Sequence, residues 1–558
     1  MNAAEAAAAI AASLATPDDT LAARIAAARA AFPADLRLRL LEGEFHEKSA
    51  RPAEAEACFR DAAAAHPANP WPQARIANLL LATGRAEEAR ALFAASIWTS
   101  TLPEAPRTAL LSRLVGATTD LPRRADFLAA LLNGGPDDRF VLLKLAALRF
   151  RQRNREEAAR LFAAARALGP LPVESELLEL ELHLAAGRFE PAFRIAQALA
   201  ASHPGRIDFA RRAIQTAQFA GHGELAATLL QQALERWPED WLLLFRYNRA
   251  ACPPATDAAI FARLAALRPQ READPRWLFQ YVLAALRQGR TGEAMHLLPR
   301  LAAGTATADL AAPLHAALST RPEMLWNTGR GITNAVTDDV QVVRHPAARA
   351  TVIVLAGVQG GVGYMTFSHV DALLAAHKVN AIYLRDVHNR AFTAGVRGLA
   401  PDEAATHEAL RRLADELGGQ PVVTMGASLG GMVAVRLATR IGGHAAISLA
   451  GPVHLGVHDD EAASNAAPGG ASTRFTMAAA FLRGEPSVPE MLRAAPATRA
   501  YQVFGAGYAP DAKAATLLDG LPNATEVKLA DCAHHFVFEH LIATAAFAPL
   551  LDRAIATP

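Results

Sequence analysis

Cysteine is scarce. Cys58, Cys252 and Cys532 are the whole complement of 558 residues. They are odd in number, far apart and form no CxxC, which argues against a disulfide framework or a zinc site and favours a reducing, cytoplasmic setting. Charge is also sparse: 20% of residues are charged, the net charge is +1, and no polybasic block occurs. That balance excludes an electrostatic grip on nucleic acid or on an anionic membrane surface. No apolar run reaches the ~18 uncharged residues that a membrane span needs. The opening MNAAEAAAAIAASLA lacks a basic n-region and carries Glu5. It reads as a helical cap over residues 1–18, not as a secretory leader. His369 and His388 have no metal partners at a recognisable spacing. No metal and no organic cofactor is expected.

What the chain does have is apolar material, 52% of residues. Alanine is abundant, which favours helix. A length of 558 residues exceeds what one core serves, so at least two domains are expected.

A repeat fills the first half. ARPAEAEACF (Ala50–Phe59) and GRAEEARALF (Gly84–Phe93) align without a gap, 34 residues apart. RNREEAARLF, GRFEPAFRIA, GHGELAATLL and GRTGEAMHLL continue the series from Arg153, Gly187, Gly221 and Gly289. The central small residue recurs at Ala55, Ala89, Ala158, Ala192, Ala226 and Ala294, at gaps of 34, 69, 34, 34 and 68. Ala125 and Ala259 are expected to fill the two long gaps. Pro33, Pro67, Pro136, Pro170, Pro204 and Pro238 keep the same beat, where one helix ends and the next begins. Trp71, Trp98, Trp237, Trp241 and Trp277 also fall in this half, and read as hairpin packing residues.

This pattern resembles the tetratricopeptide repeat, a helix–turn–helix unit of 34 residues. The resemblance implies an α-solenoid over residues 19–319 whose concave face holds a protein or peptide partner.

From about Thr320 short apolar runs alternate with helical stretches. The runs are Val340–His345, Ala350–Val358, Asn380–Asp386, Pro421–Ser428, His444–Pro452, Arg499–Gly507 and Thr525–Asp531. Helix-like segments lie between them, at Ser368–His377, Asp402–Leu417 and Gly431–Arg440. The alternation predicts a mostly parallel sheet covered on both faces. The chain as a whole is therefore expected to be multidomain, α followed by α/β. Residues 459–498 break the rhythm and are expected to form a lid, with helical pieces at Thr476–Arg483 and Pro489–Ala494.

Gly426-Ala427-Ser428-Leu429-Gly430 fits G-x-S-x-G between an expected strand and an expected helix, the setting of a nucleophile elbow. Gly426 and Gly430 supply the small residues that the tight turn needs. Ser428 is the candidate nucleophile. A base should follow the last strand, where ADCAHHFVFEHL offers His534 and His535, and the register favours His535. The orienting acid is open. Asp511 is the first candidate, although it also fits a helix N-cap, and Asp459, Asp460 and Asp531 are the others. Oxyanion donors are expected from the backbone of Leu429 and of Val358 or Gln359. Arg385 and Asp386 read as an ion pair holding a loop, or as a substrate-facing pair.

Together these features resemble the α/β-hydrolase superfamily over residues 320–558. The strand-end YLRD, the F-x-x-G-V-x-G-L and the GASLGG look like bacterial hydrolase domains joined to other modules. The resemblance implies a serine hydrolase that cleaves a small acyl ester or thioester through an acyl-enzyme, while the repeats recruit a protein partner or substrate. Two other functions fit the same residues: an interaction scaffold with a weakly active or inert hydrolase module, and an acyltransferase or deacylase acting on a glycan or protein.

Overall fold

The computed structural model describes residues 2–135, 137–301, 307–357, 360–386, 390–454, 482 and 484–556. The chain divides into two compact units, Met1–Leu182 and His183–Pro558.

The first unit is built from helical hairpins, among them Leu36–Lys48 with Pro52–Ala65, Trp71–Ala82 with Ala86–Leu92, and Arg139–Arg151 with Arg155–Ala167. Ala55, Ala89 and Ala158 are each fully buried, and so are Phe59, Phe93 and Phe162, four residues on. That spacing places the small residue and the ring on one face of the second helix. The alanine admits the neighbouring helix, and the ring fills the groove beside it. Ala125 is buried in the same way. The turn inside each hairpin needs one residue with positive φ. Gly84 supplies it at φ 80°, while Ala50 and Arg153 adopt it at 56° and 59°. Pro33, Pro67 and Pro170 lie in the connections between helices. Trp98 is buried and donates from Nε1 to Leu131 O at 2.9 Å, whereas Trp71 is 41% exposed.

The second unit begins with hairpins of the same kind and continues into the sheet. Ala192, Ala226 and Ala294 are buried. Ala259 is exposed, and Ile260 takes the buried place. The 34-residue beat from Ala226 and back from Ala294 falls on position 260, so Ala259 stands one residue short of the buried place.

Seven strands form one mixed sheet: β1 Val340–Val343, β2 Thr351–Leu355, β3 Asn380–Leu384, β4 Val422–Ala427, β5 Ala445–Leu449, β6 Arg499–Gly505 and β7 Ala524–Leu529. Their order is β1-β3-β2-β4-β5-β6-β7. β1 pairs antiparallel with β3, and every other pairing is parallel. All seven expected runs contain a strand, each trimmed where its last residues enter a loop.

Successive residues alternate between two cores, as a pleated strand requires. Val352, Val354, Tyr383, Val423, Met425, Ile447 and Val503 belong to one, and Ile353, Leu355, Ile382, Leu384 and Ala446 to the other. Helices Glu403–Glu416, Leu429–Ile441 and Val488–Ala494 contribute to the second core. The first core runs without a break from the sheet into the repeat helices, through Trp277, Phe279, Tyr281 and Val282. Helix Pro275–Arg287 is buried from Trp277 to Leu286 on all sides, the mark of a helix enclosed by partners rather than lying on a surface.

Of the expected lid, Asp459, Asp460 and all of Thr476–Arg483 except Leu482 lie outside the described residues. Its later part, helix Val488–Ala494, packs through Val488 and Leu492 into the second core. Among the described residues no helix is long and apolar enough to cross a membrane.

Candidate functional site

The carboxyl ends of β2, β4, β5, β6 and β7 share one edge of the sheet, because these strands are mutually parallel. Ser428 follows β4 directly and precedes helix Leu429–Ile441. Its backbone sits at φ 53°, ψ −129°. For a residue with a Cβ that is a strained conformation, costing about 1–3 kcal/mol. The main chain there is held at both sides. Ser428 N–H donates to Leu449 O at 2.8 Å, and Gly431 N–H to Ser428 O at 2.8 Å. A Cβ at Gly426 would come within 2.3 Å of Gly430 O, so the turn admits only glycine there. Gly430 packs against the Leu355 and Ala356 carbonyls, where a Cβ would meet them at 3.2 and 3.3 Å. The serine side chain does not cap the helix that follows. Leu429 is the first residue of that helix, where a backbone N–H has no acceptor within the helix.

Loop 357–365, after β2, runs beside this turn. A Cβ on Gly357 would lie 3.1 Å from Ala427 O. Gly357 N–H donates to Gly361 O at 2.8 Å, and Val362 and Met365 bridge one another. Val358 and Gln359, the expected oxyanion donors, lie outside the described residues.

His535 and Asp511 come together. His535 Nδ1 and Asp511 Oδ2 are 2.8 Å apart. The carboxylate accepts, so Nδ1 carries the proton and Nε2 is left as the basic nitrogen. Asp511 is 6% exposed and lies in the first turn of helix Ala509–Ala515. It is not the N-cap, since Tyr508 holds that position. The Tyr508 and Phe536 rings flank the imidazole at 5.9 and 6.0 Å. The other candidates are placed elsewhere. His534 turns towards Cys532, with its Nδ1 3.6 Å from Sγ. Asp531 is exposed.

Arg385 and Asp386 do not form the expected pair. Arg385 is buried and donates to three carbonyls, Gly360 O at 3.0 Å, Asp338 O at 2.8 Å and Thr333 O at 3.5 Å. Asp386 accepts from Phe392 N–H at 2.9 Å. Burial pulls the guanidinium pKa down to about 10. Strand end and loop need main-chain acceptors closed off more than they need an ion pair, and the guanidinium fork reaches several at once. Arg385 also lines a small cavity of about 30 Å³, together with Asn248, Arg287, Gly360 and Tyr364.

Sequence reasoning missed Glu539. It is fully buried in helix Val537–Ala543 and accepts from Tyr364 N–H at 2.5 Å. Tyr364 also stacks on Phe536 at 4.5 Å. These contacts tie loop 357–365 to the segment that carries His535. Burial pushes the Glu539 carboxyl up to about 7, against the Tyr364 N–H, which favours the charged form. A glutamate inside the apolar run FVFEHL was the available signal.

A hydroxyl on a strained strand-to-helix turn, a helix N-terminus behind it and an Asp–His pair therefore share one edge of the sheet.

Residues 48–97 match the tetratricopeptide repeat family. The N-terminal region carries such repeats. Among solved structures, the chain is similar to pilF of Pseudomonas aeruginosa, at 17% identity over 37% of this chain and 96% of that one, with a TM-score of 0.25. It is also similar to a tetratricopeptide repeat protein from Parabacteroides merdae ATCC 43184, at 13% identity over 51% and 99%, with a TM-score of 0.23. No curated protein matches the chain.

Proposed function

We propose that residues 320–558 form an α/β-hydrolase-type domain acting as a serine hydrolase on small acyl esters or thioesters. The observation that carries this reading is the strained backbone of Ser428 at φ 53°. Strain of this kind persists where the surrounding structure enforces it, and it clusters at functional sites. The 2.8 Å bond between Asp511 and His535 supports it from the neighbouring strands.

In the proposed reaction Ser428 Oγ attacks the acyl carbon while His535 Nε2 takes its proton. Asp511 holds the ring in the required tautomer and stabilises the imidazolium. The oxyanion is met by Leu429 N–H; the second expected donor, Val358 or Gln359, lies outside the described residues. His535 returns the proton to the leaving alcohol or thiol, and water then releases the acid by the same relay. Turnover of p-nitrophenyl acyl esters and of acyl thioesters tests this. Wild type should turn over at least one of them. Ser428→Ala and His535→Ala should each lose on the order of 10³-fold or more. Turnover undiminished in Ser428→Ala would exclude the reading.

A second reading belongs to the first half of the chain. The family match over residues 48–97 supports a role in binding a protein or peptide partner. In that reading the repeats are the working part and the sheet domain is weakly active or inert. Transfer of the acyl group to a glycan or protein is the third option, and added acceptors would reveal it by the mass of the products.

A further inference from the structure

Cys532, His534 and His540 form a cluster that the proposed hydrolysis does not use. Their ligating atoms, one from each residue, all lie within 4.8 Å of one another. Cys532 is buried, and the two histidines are half-buried. Cys532 Sγ stands 3.6 Å from His534 Nδ1 and 3.9 Å from Nε2. A tetrahedral zinc ion with ordinary Zn–S and Zn–N bonds sets its ligand atoms about 3.4–3.6 Å apart. The thiol lies at that spacing from Nδ1, but its similar distance from Nε2 places it beside the ring, so the imidazole must turn before Nδ1 and Sγ can share an ion. The rings of His534 and His540 lie 6.3 Å apart, centre to centre, at 68°.

The frame is suited to hold an ion. Two ligands come from the tight turn after β7, and the third from helix Val537–Ala543. Helix Ala308–Leu318 packs against that same helix. Water can complete the coordination.

We propose that Cys532, His534 and His540 bind a thiolate-preferring divalent metal ion, with zinc as the best fit. One thiolate and two imidazoles select this class over calcium or magnesium, which take oxygen ligands. On binding, Cys532 Sγ–H gives its proton to solvent and the sulfur bonds to the metal, so a dication leaves the site with one net positive charge. His535 lies between His534 and His540 in the chain, so the ion fixes the loop that carries the proposed base.

The test is zinc binding to the full chain, and its readout does not depend on whether Ser428 is a nucleophile. Chelator-treated protein is dialysed against micromolar ZnCl₂ and its metal content measured. Cobalt(II) loading then reports a thiolate ligand by its charge-transfer absorption. Bound metal, with the cobalt–thiolate band, should be lost in Cys532→Ser and in His540→Ala. Circular dichroism checks that both variants are folded. Cys58→Ser is the control, because Glu42, His46 and Cys58 form a second cluster of possible ligands. That variant should keep the metal that the other two lose. No bound zinc in wild type, or zinc retained by Cys532→Ser and lost only in Cys58→Ser, overturns the proposal.

Discussion

Ser428 and Glu539 each hold an unfavourable state that a neighbouring residue type would relieve. At φ 53°, ψ −129°, glycine is comfortable and serine is not. Ser428→Gly should therefore be more stable than Ser428→Ala by about 1–2 kcal/mol, measured by denaturant unfolding, and both should be inactive. Glu539 is neutral more readily in the folded protein than in the unfolded chain, because burial raises its pKa from 4.5 to about 7. Between those two values the folded state binds more protons than the unfolded state. The group's contribution thus declines as pH rises through that window and is lowest above about 7. At about 1.4 kcal/mol per pKa unit, the full effect is on the order of 3 kcal/mol. Glu539→Gln should flatten this part of the profile and stabilise the protein at pH 8 relative to wild type. Unfolding curves at pH 5 and pH 8 measure the difference. At this scale the register before the final helix singled out His535 as the expected base, whereas Asp511 stood only as one of four carboxylates, because a 24-residue separation hides its contact with His535. Cys532, His534 and His540 were invisible as a set, since the turn and the helix bring them together rather than a spaced motif.

Among elements, the hairpin turns and the elbow make separate demands on glycine. Gly84 and Gly289 sit at φ 80° and 72°, and a Cβ at either would meet nothing within 4 Å. Alanine there costs only the backbone conformation, about 1 kcal/mol each. Gly426 is different, because its Cβ would collide with Gly430 O at 2.3 Å. Gly426→Ala should displace the Ser428 turn, reduce esterase turnover and destabilise the protein by more than either hairpin variant does. Thermal unfolding and ester turnover measured side by side test that ranking. The strands were legible because short apolar runs alternate with helical stretches, and β2 to β6 are buried along most of their length while the edge strands β1 and β7 are not. The hairpins were legible because period, small residue and proline repeat together. Ala259 failed because the 34-residue beat from Ala226 and back from Ala294 falls on position 260, where a buried isoleucine replaces the small residue.

For the whole molecule, the change of sequence pattern and the change of packing fall in different places. The pattern changes near Thr320, but the compact second unit begins at His183. The core shared by Trp277, Tyr281, Val354 and Val423 explains why. The signal was present in WLFQYVLAAL, Trp277 to Leu286, a helix with no polar face wide enough for a surface. A fragment of residues 183–558 should fold cooperatively. One of residues 320–558 should aggregate, because removing the repeat helices bares one apolar face of the sheet. Size-exclusion chromatography and thermal melts of the two fragments distinguish these outcomes.

The central claim is that Ser428 is an activated nucleophile. Treatment of the full chain with a fluorophosphonate, followed by intact mass and peptide mapping, tests it most directly. One adduct per chain, on the peptide that contains Ser428 and absent from Ser428→Ala and His535→Ala, is the predicted result. A folded wild type that takes up no adduct, or takes it up on another residue, would contradict it.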